Sequence, residues 1–460
     1  VLIAVTQHDT VYAFDADASP CQTLWTKSLL LTNETYGQST DVSCSDLAPD
    51  IGIVGTPVID GATSTIYLVT KTKTPPTTTF MFTQRIHALS LVDGSEKFGG
   101  PTALAGTING NSFNAFKNNQ RAGLALVNGK VYVSEASHCD NGAYQGWVFG
   151  YAASDLTVAP DVFTPAAHAP TGVESGIWMS GGAPASDSAN NVYLITGNGT
   201  FDVTSTTGPP HDDYGDSILK LSTSTGISVV DYFAPANFGS LQSGDTDLGS
   251  GGAAVLVDQP GGPVPHLLIG GGKSQILYLL NRDNLGQETT GDTGIVQGVT
   301  VGAAIFATPV FWNNQLYIAG AFGTTTLQAF TFNPTTGKFT TPAGSHSGDT
   351  YGFPGATPSL SASGTTNGIV WALKTNTYCT SQAPSCGPAV LRAYDATNLG
   401  TELWHSDASA ADAAGNAVKF TLPTIANGKI YVGTRGNNTG GAASSTSAPG
   451  EIDVYGLKPN

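Results

Sequence analysis

The chain is poor in charge. Only 11% of its 460 residues are Asp, Glu, Lys or Arg, against about 25% in an average globular chain. Its surface must therefore be covered by Ser, Thr, Asn and Gly. Basic residues are the scarcer sign: 18 Lys and Arg stand against 34 Asp and Glu, a net charge of −16. That balance argues against nucleic acid and against an anionic membrane as partners. Most of the carboxylates read as a solvated surface, and a few could serve as cation ligands. No run comes near the ~18 apolar residues of a membrane-spanning helix, so no membrane insertion is expected. Long helical periodicity is missing throughout. No signal peptide is visible; the chain opens at Val1 directly in a strand, VLIAVTQ, and its N-terminus reads as processed or truncated.

Cysteine is also scarce, with five in all. Cys379 and Cys386 bracket the turn-rich TSQAPS and are predicted to close a small disulfide. Cys21 and Cys44 offer a second pair, which leaves Cys139 over. His138 beside Cys139 has no second histidine at metal spacing, so a transition-metal site is not read there. Three sequons occur, at Asn33, Asn198 and Asn437, and their meaning depends on the host.

What the chain has in abundance is one repeated strand. It is clearest in VYAFDADASPCQTLW, Val11–Trp25. Val11, Tyr12 and Phe14 suit a pleated, half-buried surface, and Asp15, Asp17 and Ser19-Pro20 end and turn it. Degenerate copies follow: IHALSL, FGYAAS, ILKLST, LYLLNR, LQAFTF, LRAYDA and IDVYGL. Each cycle opens with a Gly- or Pro-containing strand such as GIVGTPVID or SGGAPASD. A second strand follows, as in TIYLVT, KVYVSE, NVYLIT, QLYIAG and KIYVGT. Asn128-Gly129, Asn313-Asn314 and Asn427-Gly428 suit tight hairpins between the two. The repeat strand is third, and a short fourth strand often carries Trp or Phe. Four antiparallel strands, repeated, describe a β-propeller blade. The prediction is an all-β, eight-bladed propeller over residues 1–460 as a single domain. Seven blades would follow if the two terminal fragments merged, and joined termini would remove the exposed sheet edges.

The unit VYAFDA with its trailing LW resembles the tryptophan-docking repeat of the pyrroloquinoline quinone (PQQ) propellers, the quinoprotein alcohol dehydrogenases. The likeness covers nearly the whole chain as repeats and is sharpest from Gly176 to Gly286. It implies a secreted or periplasmic quinoprotein that oxidises a small alcohol or sugar, with PQQ and Ca²⁺ as cofactors. It also implies roles. Trp178 in GIW would stack on the quinone, and Arg121 in NNQRAGLAL and Lys273 in GGKSQILYLL would contact it. Asn198 in TGNGTF would be a metal ligand. Asp245 and Asp247 in SGDTDLGSGG would add oxygen ligands, with Asp247 as the general base. Asp140 or Asn141 in HCDNGAYQGW stands near the place of a further metal ligand, a glutamate in that family. The types are chemically apt: a planar anionic quinone needs an aromatic face, cationic partners and a hard cation with oxygen ligands.

The chain departs from that family in four places, the first being the absent calcium-binding glutamate near the third unit. Val54 stands where a glutamate is expected before Gly-x-Pro, the vicinal cysteine pair is missing, and no CxxCH haem motif is present. Each candidate also has a plainer reading. Trp178 can be a core aromatic and Asn198 a turn residue at positive φ. Asp245 and Asp247 can cap a Gly-rich loop, and Arg121 and Lys273 can be ordinary lining charges. The competing function is a non-catalytic propeller that binds an extracellular protein or glycan, since the fold hosts both.

Overall fold

The structure is a computed structural model that describes residues 1–74, 81–169, 173–205, 211–322, 325–378, 386–435 and 450–456. Strand dominates at 45% and helix is 4%, as the sequence pattern requires, and the fold is an eight-bladed β-propeller. The chain divides into two compact units, Val1–Asp231 and Tyr232–Asn460.

In the first unit the first blade is Leu2–Val5, Thr10–Asp15 and Gln22–Ser28. The second is Val58–Asp60, Thr65–Thr74, Met81–Ser90 and Thr102–Ala103. Thr35–Gln38 extends it by pairing with the far end of Thr65–Thr74. The third is Ala125–Val127, Lys130–Ser137, Trp147–Ala152 and Asp161–Phe163. The fourth is Ala185–Ser186, Val192–Ile195, Ile218–Ser222 and Ser228–Phe233, whose last strand leads the chain into the second unit.

The second unit repeats the pattern. The fifth blade is Ala253–Val255, Leu267–Gly271, Ile276–Asn281 and Gln297–Thr300. The sixth is Val310–Trp312, Gln315–Ala319, Thr326–Asn333 and Ser345–Thr350. The seventh is Ser359–Ser363, Thr366–Lys374, Val390–Asp395 and Glu402–His405, and the eighth is Thr424–Ala426, Lys429–Arg435 and Gly450–Gly456. Apart from the added Thr35–Gln38, the strands named for each blade lie side by side in chain order.

Local chemistry accounts for the register. The predicted hairpins have positive φ at both central residues: Asn128 and Gly129, Asn313 and Asn314, Asn427 and Gly428. That is the turn whose twist matches paired strands, and it sets Val127 opposite Lys130, Trp312 opposite Gln315 and Ala426 opposite Lys429. Some second strands are apolar on both faces because a blade is covered by a neighbour on each side. VYLI at Val192–Ile195 and LLIGG at Leu267–Gly271 are buried throughout.

Two anchors tie blade to blade. The Trp25 indole N–H donates to the Leu91 carbonyl of the second blade at 3.1 Å, the docking contact the repeat predicted. A second device sits in the second strands. Tyr67 OH donates to the Ala153 carbonyl of the third blade, and Tyr317 OH to the Ala396 carbonyl of the seventh, both at 2.7 Å. The acceptors lie in YAAS and YDAT, the same point of the repeat.

The cysteine reading needs a correction. The disulfide joins Cys44 to Cys139, while Cys21 is free and exposed. Asn141 shows why the two loops meet: its Nδ2 donates to the carbonyls of Val42 and Ser43 at 3.1 and 2.9 Å. Cys386 is disulfide-bonded; its expected partner, Cys379, lies outside the described residues.

Candidate functional site

The candidate residues fall into two sets, one in each unit. In the first unit the segment that carries Trp178 is bent hard. Ser175, Met179 and Ser180 all have positive φ, between 47° and 55°, which is uncommon for residues other than glycine and asparagine and is held only by well-packed surroundings. The Trp178 ring folds back over Gly176, where a methyl group would lie 2.6 Å from it. Its edge meets the Tyr144 ring at 6.0 Å, T-shaped. Tyr144 OH in turn donates to Asp140 Oδ1 at 2.7 Å, and Ser137 Oγ donates to the same oxygen at 2.9 Å.

Arg121 lies against the other end of this segment. A methyl group on Gly181, at φ 86°, would sit 2.4 Å from Arg121 Nη1, so only glycine leaves the guanidinium its seat. Burial pulls the Arg121 pKa down to about 10, and it remains a cation at neutral pH. Asn198 is buried, at 6% exposed, and its carbonyl accepts the Ser175 N–H at 2.7 Å. It is not among the residues of positive φ, so the backbone does not explain why asparagine stands there. Trp178, Arg121, Asn198 and Asp140 are thus gathered around the segment from Ser175 to Gly182, directly or through Tyr144.

The second set is an ion cluster. Lys273 Nζ lies 2.6 Å from Asp247 Oδ2 and 3.2 Å from Asp245 Oδ1, and it also donates to the Asp245 carbonyl at 3.1 Å. Burial works against the lysine's charge, but the carboxylates of Asp247 and then Asp245 outweigh it and raise its pKa above the usual lysine value. Glycine makes the approach possible. A methyl group on Gly272 would meet the carbonyls of Asp247 and Leu248 at 2.3 Å. Asp247 is buried, at 7% exposed, where a loop carboxylate was expected to be exposed. Asp245 is exposed, at φ 50°.

Two groups were not singled out from the sequence. Lys71 and Glu135 are buried charges on second strands of the first unit. Lys71 Nζ donates to the carbonyl of Asn118 at 2.7 Å and meets His138 Nε2 at 2.6 Å. Burial, partly offset by Glu135, pushes Lys71 down to about 7. Burial likewise raises Glu135 to about 8, against the opposing pull of Lys71. The Ile177 N–H donates to the Glu135 carbonyl at 3.1 Å, which places this strand against the Trp178 segment. The signal was present: a Lys and a Glu interrupt the otherwise apolar TIYLVTKT and KVYVSEAS.

The second omission is a group of rings in the second unit. Phe353 packs against Phe306, Phe322 and Phe420 with centroids 5.3, 5.0 and 5.8 Å away, and Lys419 lies over it at 6.0 Å. Phe306, Phe353 and Phe420 precede the first strand of their blades, in IFATP, GFPGATP and KFTLP. Trp178 likewise precedes the first strand of its blade, in WMSGGAPAS. Among the described residues the one metal-like grouping is Cys44, Asp46 and Cys139, and the disulfide already uses both sulfurs.

No protein-family model matches the chain. No curated protein matches it in sequence. Solved structures do. BamB from Moraxella catarrhalis is similar at 13% identity over 100% of this chain and 92% of that one, with a TM-score of 0.51. A quinohemoprotein alcohol dehydrogenase from Pseudomonas putida HK5 is similar at 14% identity over 94% and 68%, with a TM-score of 0.55. At these identities the likeness is one of fold. At that level it bears out the resemblance to the quinoprotein propellers.

Proposed function

We propose that the protein is a secreted or periplasmic quinoprotein of the propeller type that oxidises a small alcohol or sugar. The observation that carries this reading is the buried Asp247 held 2.6 Å from Lys273. Asp247 is a carboxylate, a group that can take a proton from a substrate hydroxyl, and Lys273 fixes its position. PQQ, when bound, supplies the two-electron acceptor. By residue type, Trp178 in the first unit suits its aromatic face, and Arg121 in the first unit and Lys273 in the second are each cations of the kind its carboxylates take. By residue type, Asn198 and Asp140 in the first unit, and separately Asp245 and Asp247 in the second, are oxygen donors of the kind a Ca²⁺ ion takes.

The residues present fit the groups they would serve. The glycine-bounded seat of Arg121, a cation at neutral pH, favours an anionic ligand. The asparagine at 198, which backbone conformation does not demand, is accounted for by a ligand role. No helix among the described residues is long and apolar enough to cross a membrane.

The test is reconstitution. Added PQQ with Ca²⁺ should raise the melting temperature, because a ligand of the folded state alone shifts the equilibrium by mass action. Asp247→Asn should lower dye-linked alcohol or sugar oxidation by about 10²–10⁴-fold, since an amide cannot take the proton. No thermal shift with PQQ in the presence of Ca²⁺ or a lanthanide would sink the reading.

The second reading is a non-catalytic propeller that binds a protein or glycan. It is favoured by the ring group of the second unit, whose Phe322 is 53% exposed. Exposed aromatics are costly in water and are characteristic of recognition surfaces.

A further inference from the structure

On the first unit, away from the residues discussed so far, a pocket of about 410 Å³ opens between the third and fourth blades. Its apolar wall includes Val162 and Phe163 from the last strand of the third blade and Val229 from the last strand of the fourth. Its polar wall includes Asn109, His168 and Asp212. The volume is in the range of small-molecule sites.

The polar groups are fixed relative to one another. His168 Nδ1 lies 2.5 Å from Asp212 Oδ1. Asn109 Nδ2 lies 2.8 Å from His168 Nε2 and 3.0 Å from the Ala167 carbonyl oxygen. A carbonyl only accepts, so the atom facing it is the amide nitrogen and the Asn109 flip is settled. His168 Nε2 must then accept from that same nitrogen, which puts the ring proton on Nδ1, donated to Asp212. The His168 backbone N–H donates to Asp213 Oδ1 at 2.9 Å and pins the loop. Asp212 keeps its second carboxylate oxygen for another donor, and its side chain is 46% exposed.

This chemistry selects a ligand. No Lys or Arg lines the pocket, and the carboxylates of Asp202 and Asp213 lie close by, so an anion is disfavoured. The ring and aliphatic wall ask for an apolar face. The carboxylate asks for hydrogen-bond donors opposite that face, and because it is half-exposed its charge is screened by water, which weakens the case for a lone ammonium group. A neutral pyranose has both features, a C–H face and a rim of hydroxyls. We propose that this pocket is a binding site for a neutral saccharide unit, separate from any oxidation site, with Phe163 as its platform and Asp212 as its hydroxyl acceptor.

The probes are D-glucose, D-galactose, D-mannose, maltose and cellobiose at millimolar concentration, with D-glucosamine and D-glucuronate as charge controls. Binding is read by saturation-transfer NMR and titration calorimetry. At least one neutral sugar should bind, and Asp212→Ala and Phe163→Ala should each weaken it by about tenfold or more, the loss of a charge-assisted hydrogen bond or of an aromatic contact. Asp212→Asn, nearly isosteric, serves where Phe163→Ala fails to fold and should weaken binding in the same direction. Binding should persist in Asp247→Asn. The proposal is overturned if no neutral sugar binds, if either charged control binds more tightly than every neutral sugar, or if binding survives Asp212→Ala and is lost in Asp247→Asn. Because the sugar assay needs no PQQ, its outcome is independent of the reconstitution test.

Discussion

The two units are built from the same blade and filled differently. Tyr67 in the first and Tyr317 in the second make the same 2.7 Å hydrogen bond to the same point of the next repeat. Yet the second strands of the first unit carry buried Lys71, Lys73 and Glu135, while Gln315–Ala319 in the second is QLYIA, apolar after its first residue. Ahead of its first strands the second unit places phenylalanines, where the first places Arg121 and Trp178. The tyrosine-to-carbonyl contact recurs in both units although the side chains around it differ. The remaining positions are then available for charge in one unit and rings in the other. Buried charge adds little to stability and is costly when unpaired, and the second strands of the first unit carry more of it than Gln315–Ala319 does.

Three measurements sharpen or break this contrast. The largest effect should come from the disulfide, which closes a loop of 95 residues within the first unit. Cys44→Ser with Cys139→Ser should cost about 3–5 kcal/mol, and hydrogen exchange should rise in the first unit and not in the second. Equal loosening of both would show that the two do not open separately.

The next effect is on pH dependence. Burial raises Asp9 and Glu135 to about 8, from 3.8 and 4.5 respectively. The unfolded chain loses these protons at lower pH than the folded one does. Their contribution is therefore complete below about pH 4 and is lost as pH rises towards 8. Lys71, pushed down to about 7 from 10.5, acts oppositely, adding stability as pH rises from 7 to 10.5. Carboxylates held low, such as Asp187 with its hydrogen bonds from Asn191 and Tyr193, act below this window. Urea denaturation should thus show stability falling between pH 5 and 7, by roughly 1–3 kcal/mol. Asp9→Asn with Glu135→Gln should flatten the fall. A flat wild-type profile would remove the case for buried proton-holding groups in the first unit.

The smallest effect tests the shared half of the comparison. Tyr67→Phe and Tyr317→Phe should each cost about 1–2 kcal/mol, the value of a buried hydrogen bond whose acceptor is left behind. The two costs should agree. If Tyr67→Phe cost far more than Tyr317→Phe, the docking device would not be independent of the filling around it.

The sequence by itself determined the blade. Strand alternation, Asn-Gly turns with both φ positive, and a repeating tyrosine or tryptophan are local features, readable within a dozen residues. They fixed the order of strands and left a choice of eight or seven blades, which the structure settles as eight. The sequence also marked where backbone passes close to backbone, in glycine-rich runs such as SGDTDLGSGG and GGGKS. Only the tertiary structure decided which side chains meet. Cys44 finds Cys139 rather than Cys21 because Asn141 binds the loop at Val42 and Ser43, a contact across nearly a hundred residues that no spacing rule contains. Asp247 is buried against Lys273, and His168 meets Asp212 across 44 residues. Glu135 holds its proton because its neighbours exclude water. Each of these depends on desolvation or on long-range contact, and those are properties of the packed chain.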